Sequence, residues 1–99
     1  VLTVSTIEID VPLAVNVSVS QDTLNVDLRD GRSLSVPLAW HPRLAYGSMA
    51  ERDNWRLIGG GEGVHWQDLD EDISVLGLIE GKPSGESQAS FQRWLSGRG

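Results

Sequence analysis

Cysteine is absent from this 99-residue chain. Its absence excludes disulfides, thiol nucleophiles, iron–sulfur clusters and zinc sites built on thiolates. It also suits a reducing compartment, so the cytoplasm is the expected location. No apolar stretch approaches the roughly 18 residues of a membrane span. Val1–Ile9 carries no Lys or Arg, and Thr3, Ser5, Thr6 and Glu8 break up its apolar residues. It therefore does not read as a signal peptide.

Positive charge is the next scarcity. The chain holds 8 basic against 14 acidic residues, a net charge of −6. Between Arg56 and Lys82 there is neither Lys nor Arg, while Glu62, Asp68, Asp70, Glu71, Asp72 and Glu80 fall in that interval. A negative pole is the expected result. It would repel phosphate backbones, so direct nucleic-acid binding is not expected, and it would attract cations or a basic protein.

What is present reads as one α+β domain over residues 1–83, followed by a linker and C-terminal helix over 84–99. Val15, Val17 and Val19 alternate with polar residues, as do Leu24, Val26 and Leu28, and then Leu34 and Val36. Period two with β-branched residues marks half-buried strands. Asp30-Gly31 supplies a hairpin turn, and Pro37 ends the run because it lacks a ladder N–H. A three-stranded antiparallel meander over 14–36 follows, with Val1–Val11 as a further candidate strand. Pro42 suits a first helical turn, Gly47 interrupts, and Ser48 and Glu51 have capping-box spacing. A helix, or two short ones, is expected across 41–53.

Trp55–Ile58 and Val64–Trp66 read as a hairpin about the glycine-rich turn Gly59–Gly63. Gln67–Asp72 reads as an acidic loop, and Ile73–Glu80 as a short helix stopped by Gly81. Lys82–Ser87 has linker composition. Ser87–Ser96 is an amphipathic helix with Phe91, Trp94 and Leu95 on one side.

No catalytic motif emerges, and no cofactor is expected. Asp68, Asp70 and Asp72 begin like a calcium loop, but Ile73 stands where that loop needs Gly and Ile79 where it needs Glu. The cluster reads most simply as an acidic start to the next helix. A patch for a charged partner and a weak metal site are the other readings. The glycine run precedes a strand pattern, and Glu62 within it would repel phosphate, so it is a turn rather than a phosphate loop. His41 and His65, the only histidines, have no metal-ligand spacing. Both are expected as surface or hydrogen-bonded structural residues. His65 should face away from Val64 and Trp66. Trp55 and Trp66 fit a core. Trp94, beyond the linker, could dock on its own domain or on a partner.

Three stretches carry a family resemblance. They are Asp30–Leu44 (DGRSLSVPLAWHPRL), Glu51–Ile58 (ERDNWRLI) and Gly61–Val75 (GEGVHWQDLDEDISV). Together they resemble a family of uncharacterised bacterial proteins, the domain of unknown function numbered two-four-four-two. The resemblance implies an α+β fold of β-meander, helix, β-hairpin and helix, and implies no activity. Some relatives add a C-terminal helix-turn-helix, whereas 16 residues follow Pro83 here. Relatives are often encoded beside another small protein, and a toxin–antitoxin pairing has been suggested for such neighbours.

The favoured expectation is an interaction domain, antitoxin-like or regulatory, for a small basic protein encoded nearby. The expected partner-binding residues are Glu62, Trp66, Asp68, Asp70, Glu71, Asp72 and Trp94. Self-association is compatible with the sequence. A small-molecule or metal-binding domain, or an enzyme of unknown reaction, is the alternative.

Overall fold

The computed structural model describes residues 12–98. The strand expected over Val1–Val11 lies outside them. Alternation builds the first sheet: β1 (Ala14–Val19), β2 (Thr23–Leu28) and β3 (Ser33–Pro37) pair antiparallel in the order β1-β2-β3. Leu24, Val26 and Leu28 all turn into the core. Val15 departs from the expected alternation. An irregularity in the β1–β2 register at Ala14–Asn16 leaves it 48% exposed while Ala14 and Val17 are buried. An extra residue in one strand shifts the facing of its neighbours.

Beyond Pro37 the chain makes a 3-10 turn, Leu38–Trp40, then α1 (Pro42–Tyr46) and α2 (Met49–Asp53). The Ser48 side chain accepts from the Glu51 amide and the Glu51 carboxylate accepts from the Ser48 amide, closing the expected capping box. In a helix of 5 residues that cap satisfies a large share of the free N–H groups. Ser48→Ala is expected to lower stability by about 1 kcal/mol. A urea titration checks it, as a shifted midpoint at unchanged slope.

The second sheet contains β4 (Trp55–Ile58), β5 (Gly63–Trp66) and β6 (Glu71–Ser74), antiparallel in the order β4-β5-β6. The glycine turn between β4 and β5 joins the two sheets. Gly61 has φ 112°, and a Cβ there would lie 2.5 Å from the Ala14 carbonyl oxygen. Only glycine allows both that conformation and that approach. Trp66 is fully buried in β5, its indole N–H donating to the Arg52 carbonyl at 2.9 Å.

β6 corrects the sequence reading, which placed Ile73 at the start of a helix. Ile73 instead pairs with Val64, and Glu71 with Trp66. The helix α3 is shorter, Val75–Ile79, and the Ser74 hydroxyl caps it by accepting from the Gly77 amide. Alternation was hidden because the inward positions of β6 are Glu71 and Ile73, one of them charged. The last helix, α4 (Gln88–Gly97), docks on the same domain. Trp94 stacks on Phe91 and meets the edge of Tyr46, and Arg98 reaches back from α4 to the Glu51 carboxylate at 2.7 Å. Among the described residues, no helix is long and apolar enough to cross a membrane.

Candidate functional site

Residues distant in sequence converge where β6, α1 and the segment 82–90 meet. The 3-10 turn after β3 delivers His41, which stands at the N-cap position of α1 with no side-chain capping bond and is 4% exposed. Its Nε2 is buried and has no hydrogen-bond partner. Burial lowers its pKa, because the imidazolium would lose its hydration there. Glu71 arrives from β6 on the face it shares with Ile73. Its Oε2 is also buried without a partner. Burial pushes the Glu71 carboxyl up to about 7, the Arg43 guanidinium opposes the rise, Glu86 adds to it, and the Asp72 backbone N–H opposes it again.

Arg43, in α1, holds the surroundings together. Its Nε donates to Glu86 Oε1 at 2.9 Å and its Nη2 to Glu86 Oε2 at 2.5 Å. Its Nη1 donates to the carbonyls of Leu69 and Asp70 at 3.3 and 3.1 Å. The guanidinium also lies 5.2 Å from the centre of the Trp94 ring. Glu86 accepts a further hydrogen bond from the Ser90 hydroxyl. Arg43 thereby keeps the Glu86 carboxylate below its ordinary pKa. One side chain thus joins the β5–β6 turn, the segment before α4 and α4 itself.

His41, Arg43, Glu71, Glu86 and Ser90 line a cavity of about 500 Å³. Asp70, Asp72 and Lys82 also line it, and their side chains are 87%, 66% and 70% exposed. They form its rim, with His41 at the floor. A buried polar atom without a partner is uncommon in folded proteins, and two belong to residues that line this cavity, although the atoms themselves are buried. Such atoms call for a ligand or an ordered water. Among the described residues, no three His, Asp or Glu side chains converge as metal ligands.

The expected partner-binding residues do not form one patch. Asp68, Asp70, Glu71 and Asp72 gather at the β5–β6 turn and along β6. Asp68 accepts from the Asn54 side-chain Nδ2, Asp72 contacts His65 Nδ1 at 2.5 Å, and Asp70 lies 3.8 Å from Arg43. Glu71 is turned inward. Glu62 sits at the opposite end of β5, beside the glycine turn, where it shares a separate groove with Ile58 and Asp72. Trp66 has no exposed surface to offer a partner. Trp94 is half-buried and packs with Phe91, Tyr46, Arg43 and Arg98 of its own chain. His65 faces away from the buried Val64 and Trp66 and is hydrogen-bonded, as expected, but His41 is neither exposed nor hydrogen-bonded through Nε2. Helix capping does not explain the carboxylates, since Ser74 caps α3.

The sequence reading missed Arg43, Glu86 and the orphaned nitrogen of His41. Arg43 and Glu86 are 43 positions apart, so no local spacing announces their pairing.

A family model described as "Protein of unknown function (DUF2442)" matches residues 14–84. A solved structure of a protein of unknown function from Rhodospirillum rubrum is similar, at 29% identity and a TM-score of 0.65. The match covers 79% of this chain and 94% of that one. An uncharacterised protein from Chromobacterium violaceum, solved by NMR in solution, matches at 19% identity with a TM-score of 0.64, over 82% of this chain and 75% of that one. That second likeness is one of fold alone. No curated protein matches the chain.

Proposed function

We infer a function from one premise: the chain belongs to the family Protein of unknown function (DUF2442), whose model spans residues 14–84. The proposed role is that of a cytoplasmic interaction domain, antitoxin-like or regulatory, that docks a small basic protein on the β5–β6 turn. One observation carries this reading. Three exposed carboxylates, those of Asp68 and Asp70 in the β5–β6 turn and of Asp72 in β6, flank a turn whose backbone Arg43 clamps at Leu69 and Asp70. Grouped like charges cost stability, and no helix start in the described residues uses them as caps. A fixed array of charge also loses little freedom on binding, which favours complex formation.

Complementary charge acts chiefly on encounter. Asp68→Lys combined with Asp72→Lys is therefore expected to slow association about tenfold or more, with a much smaller change in dissociation. Capture from native lysate identifies the partner, and surface-binding kinetics at rising salt measure both rates. Screening beyond roughly 8–10 Å at physiological ionic strength should slow the wild-type association too. An unchanged association rate in the double variant would remove this face from consideration. Glu71 and Trp66 are left intact because neither is exposed.

A second reading, a domain that binds a small molecule, is favoured by the cavity of about 500 Å³ and its polar lining.

A further inference from the structure

We propose that the outer edge of β6 is a strand-addition site: an extended segment of a basic protein partner lies in the cleft between β6 and the segment 82–86 and pairs antiparallel with Asp72 and Ser74. The inference rests on the reading of an acidic docking face and names the part of the partner that docks there.

β6 ends its sheet, and among the described residues no strand pairs with its far side. Two observations show which backbone groups it leaves to that side. The Val75 N–H donates to the Glu62 carbonyl at 2.9 Å, and the Ile73 carbonyl oxygen would lie 3.3 Å from a Cβ on Gly63. Both groups thus point at β5. Backbone groups alternate in direction along an antiparallel strand, so those of Asp72 and Ser74 point away from β5, toward the open edge. The Ser74 carbonyl belongs to the start of α3, where Ser74 is the N-cap. The Asp72 N–H also serves the Glu71 carboxyl, which it helps to ionise. The Asp72 carbonyl and the Ser74 N–H enter no backbone hydrogen bond of the described turns, loops and caps. Both residues are exposed and line the cleft.

Space agrees. At a rise of about 3.4 Å per residue, a strand spacing of about 4.8 Å and a layer about 10 Å deep, the cavity of about 500 Å³ holds about three residues of extended chain.

Charge selects the partner. Asp70 and Asp72 stand at this edge with side chains 87% and 66% exposed. Arg43 and Lys82, the cations of the cleft, are already paired with Glu86 and Glu80. Like charges directly opposite one another oppose strand pairing, so a second copy of β6 is disfavoured. A residue placed opposite Asp72 presents its side chain on the same face as Asp72, where Lys or Arg is favoured. Its two neighbours turn to the other face. That is the face of Ile73, which is buried, so apolar side chains suit them. The segment recognised therefore alternates apolar and basic residues.

The test uses the full chain and a blocked pentapeptide, Val-Lys-Val-Lys-Val, followed by NMR of the backbone amides. A Kd on the order of 1 mM is expected, because binding immobilises a flexible chain. At about 10 mM peptide, exchange of the Ser74 amide with water should slow about tenfold as the site fills. The Val75 amide, already bonded to Glu62, should change little. Methylating the backbone nitrogens of the two peptide lysines removes the N–H groups that face β6 and should abolish the protection. Val-Glu-Val-Glu-Val should give none.

No slowing at Ser74 with about 10 mM of the lysine peptide overturns the proposal. Equal protection by the methylated peptide would show attraction by charge without strand pairing and overturns it too, as does equal protection by the glutamate peptide. Wild-type protein serves in every arm, so no variant need fold. The docking face is judged separately, by the association rate of the captured partner with the double Lys variant. Loss of strand addition with that rate still dependent on Asp68 and Asp72 would leave the docking face standing.

Discussion

Replacing Arg43 with Met is expected to cost about 3 kcal/mol of unfolding free energy, the largest effect of any exchange at the candidate site. The long apolar stem survives in Met, so the cost comes from the charged head. Arg43 and Glu86 have side chains 15% and 12% exposed. They lie between the exposed pairs that contribute under about 1 kcal/mol and the buried pairs whose breaking costs about 3–5. To this are added the carbonyls of Leu69 and Asp70, which lose their donor. For a domain stabilised by roughly 5–15 kcal/mol the loss is large.

The loss should also be local. Glu86 would stand without its cation just before α4, and Trp94 would lose the guanidinium beside its ring. Amide hydrogen exchange should therefore quicken in α4 more than in β5, where Trp66 remains anchored to Arg52. Arg43→Lys is expected to restore little, since one ammonium cannot reproduce a fork that serves Glu86 and two carbonyls together. Equal loss of protection in α4 and β5 would show that Arg43 stabilises the fold as a whole and does not tether the helix.

The strand order of the first sheet and both glycine-turn hairpins were legible because their causes are local, whereas β6 was read as loop and helix. Leu24, Val26 and Leu28 alternate in the sequence and are buried in the structure. The Ser48–Glu51 box closes as its spacing indicated. Even the register error at Val15 is small, an added residue that no alternation rule detects. The site was less legible because its logic is long-range. Glu71 reads as one more acid in an acidic run, and only its pairing with Trp66 in β6 turns it inward. Leu69 looked like a loop residue, yet it is fully buried. A Cβ on Gly47 would lie 2.9 Å from the Leu69 methyls, so that glycine makes room for them. Trp66 and Trp94 were weighed as anchors by residue type alone. Strand facing buries the first, and the aromatic and arginine neighbours brought by the fold half-bury the second.

Glu71→Gln is expected to stabilise the protein at alkaline pH and to change little in mild acid. Gln copies the shape and polarity of a protonated carboxyl, so the two proteins should match where Glu71 is neutral in both states. The ordinary glutamate pKa is 4.5, and burial raises that of folded Glu71 to about 7. The folded state therefore holds the proton more firmly than the unfolded chain. Stability from this linkage is complete below about 4.5 and is lost as pH rises through about 7.

A full conversion at about 1.4 kcal/mol per unit would overstate the loss, because Glu71 retains some contact with solvent. A difference on the order of 1–3 kcal/mol in favour of Gln by pH 8 is the expected magnitude. Other titrations act on both proteins alike. The lowered pKa of His41 reduces stability as pH falls below about 6.5, and the lowered pKa values of Asp30, Glu51 and Glu86 do so further into acid. Those of His41, Asp30 and Glu51 cancel in the difference between variant and wild type, and Glu86, which acts on Glu71, is already ionised in the folded protein over the range compared. Urea unfolding of both proteins from about pH 4.5 to 8 measures it. A gap that opens steadily over that range supports a strained, unpaired carboxylate in the cleft. Parallel curves would mean that Glu71 is already satisfied when ionised.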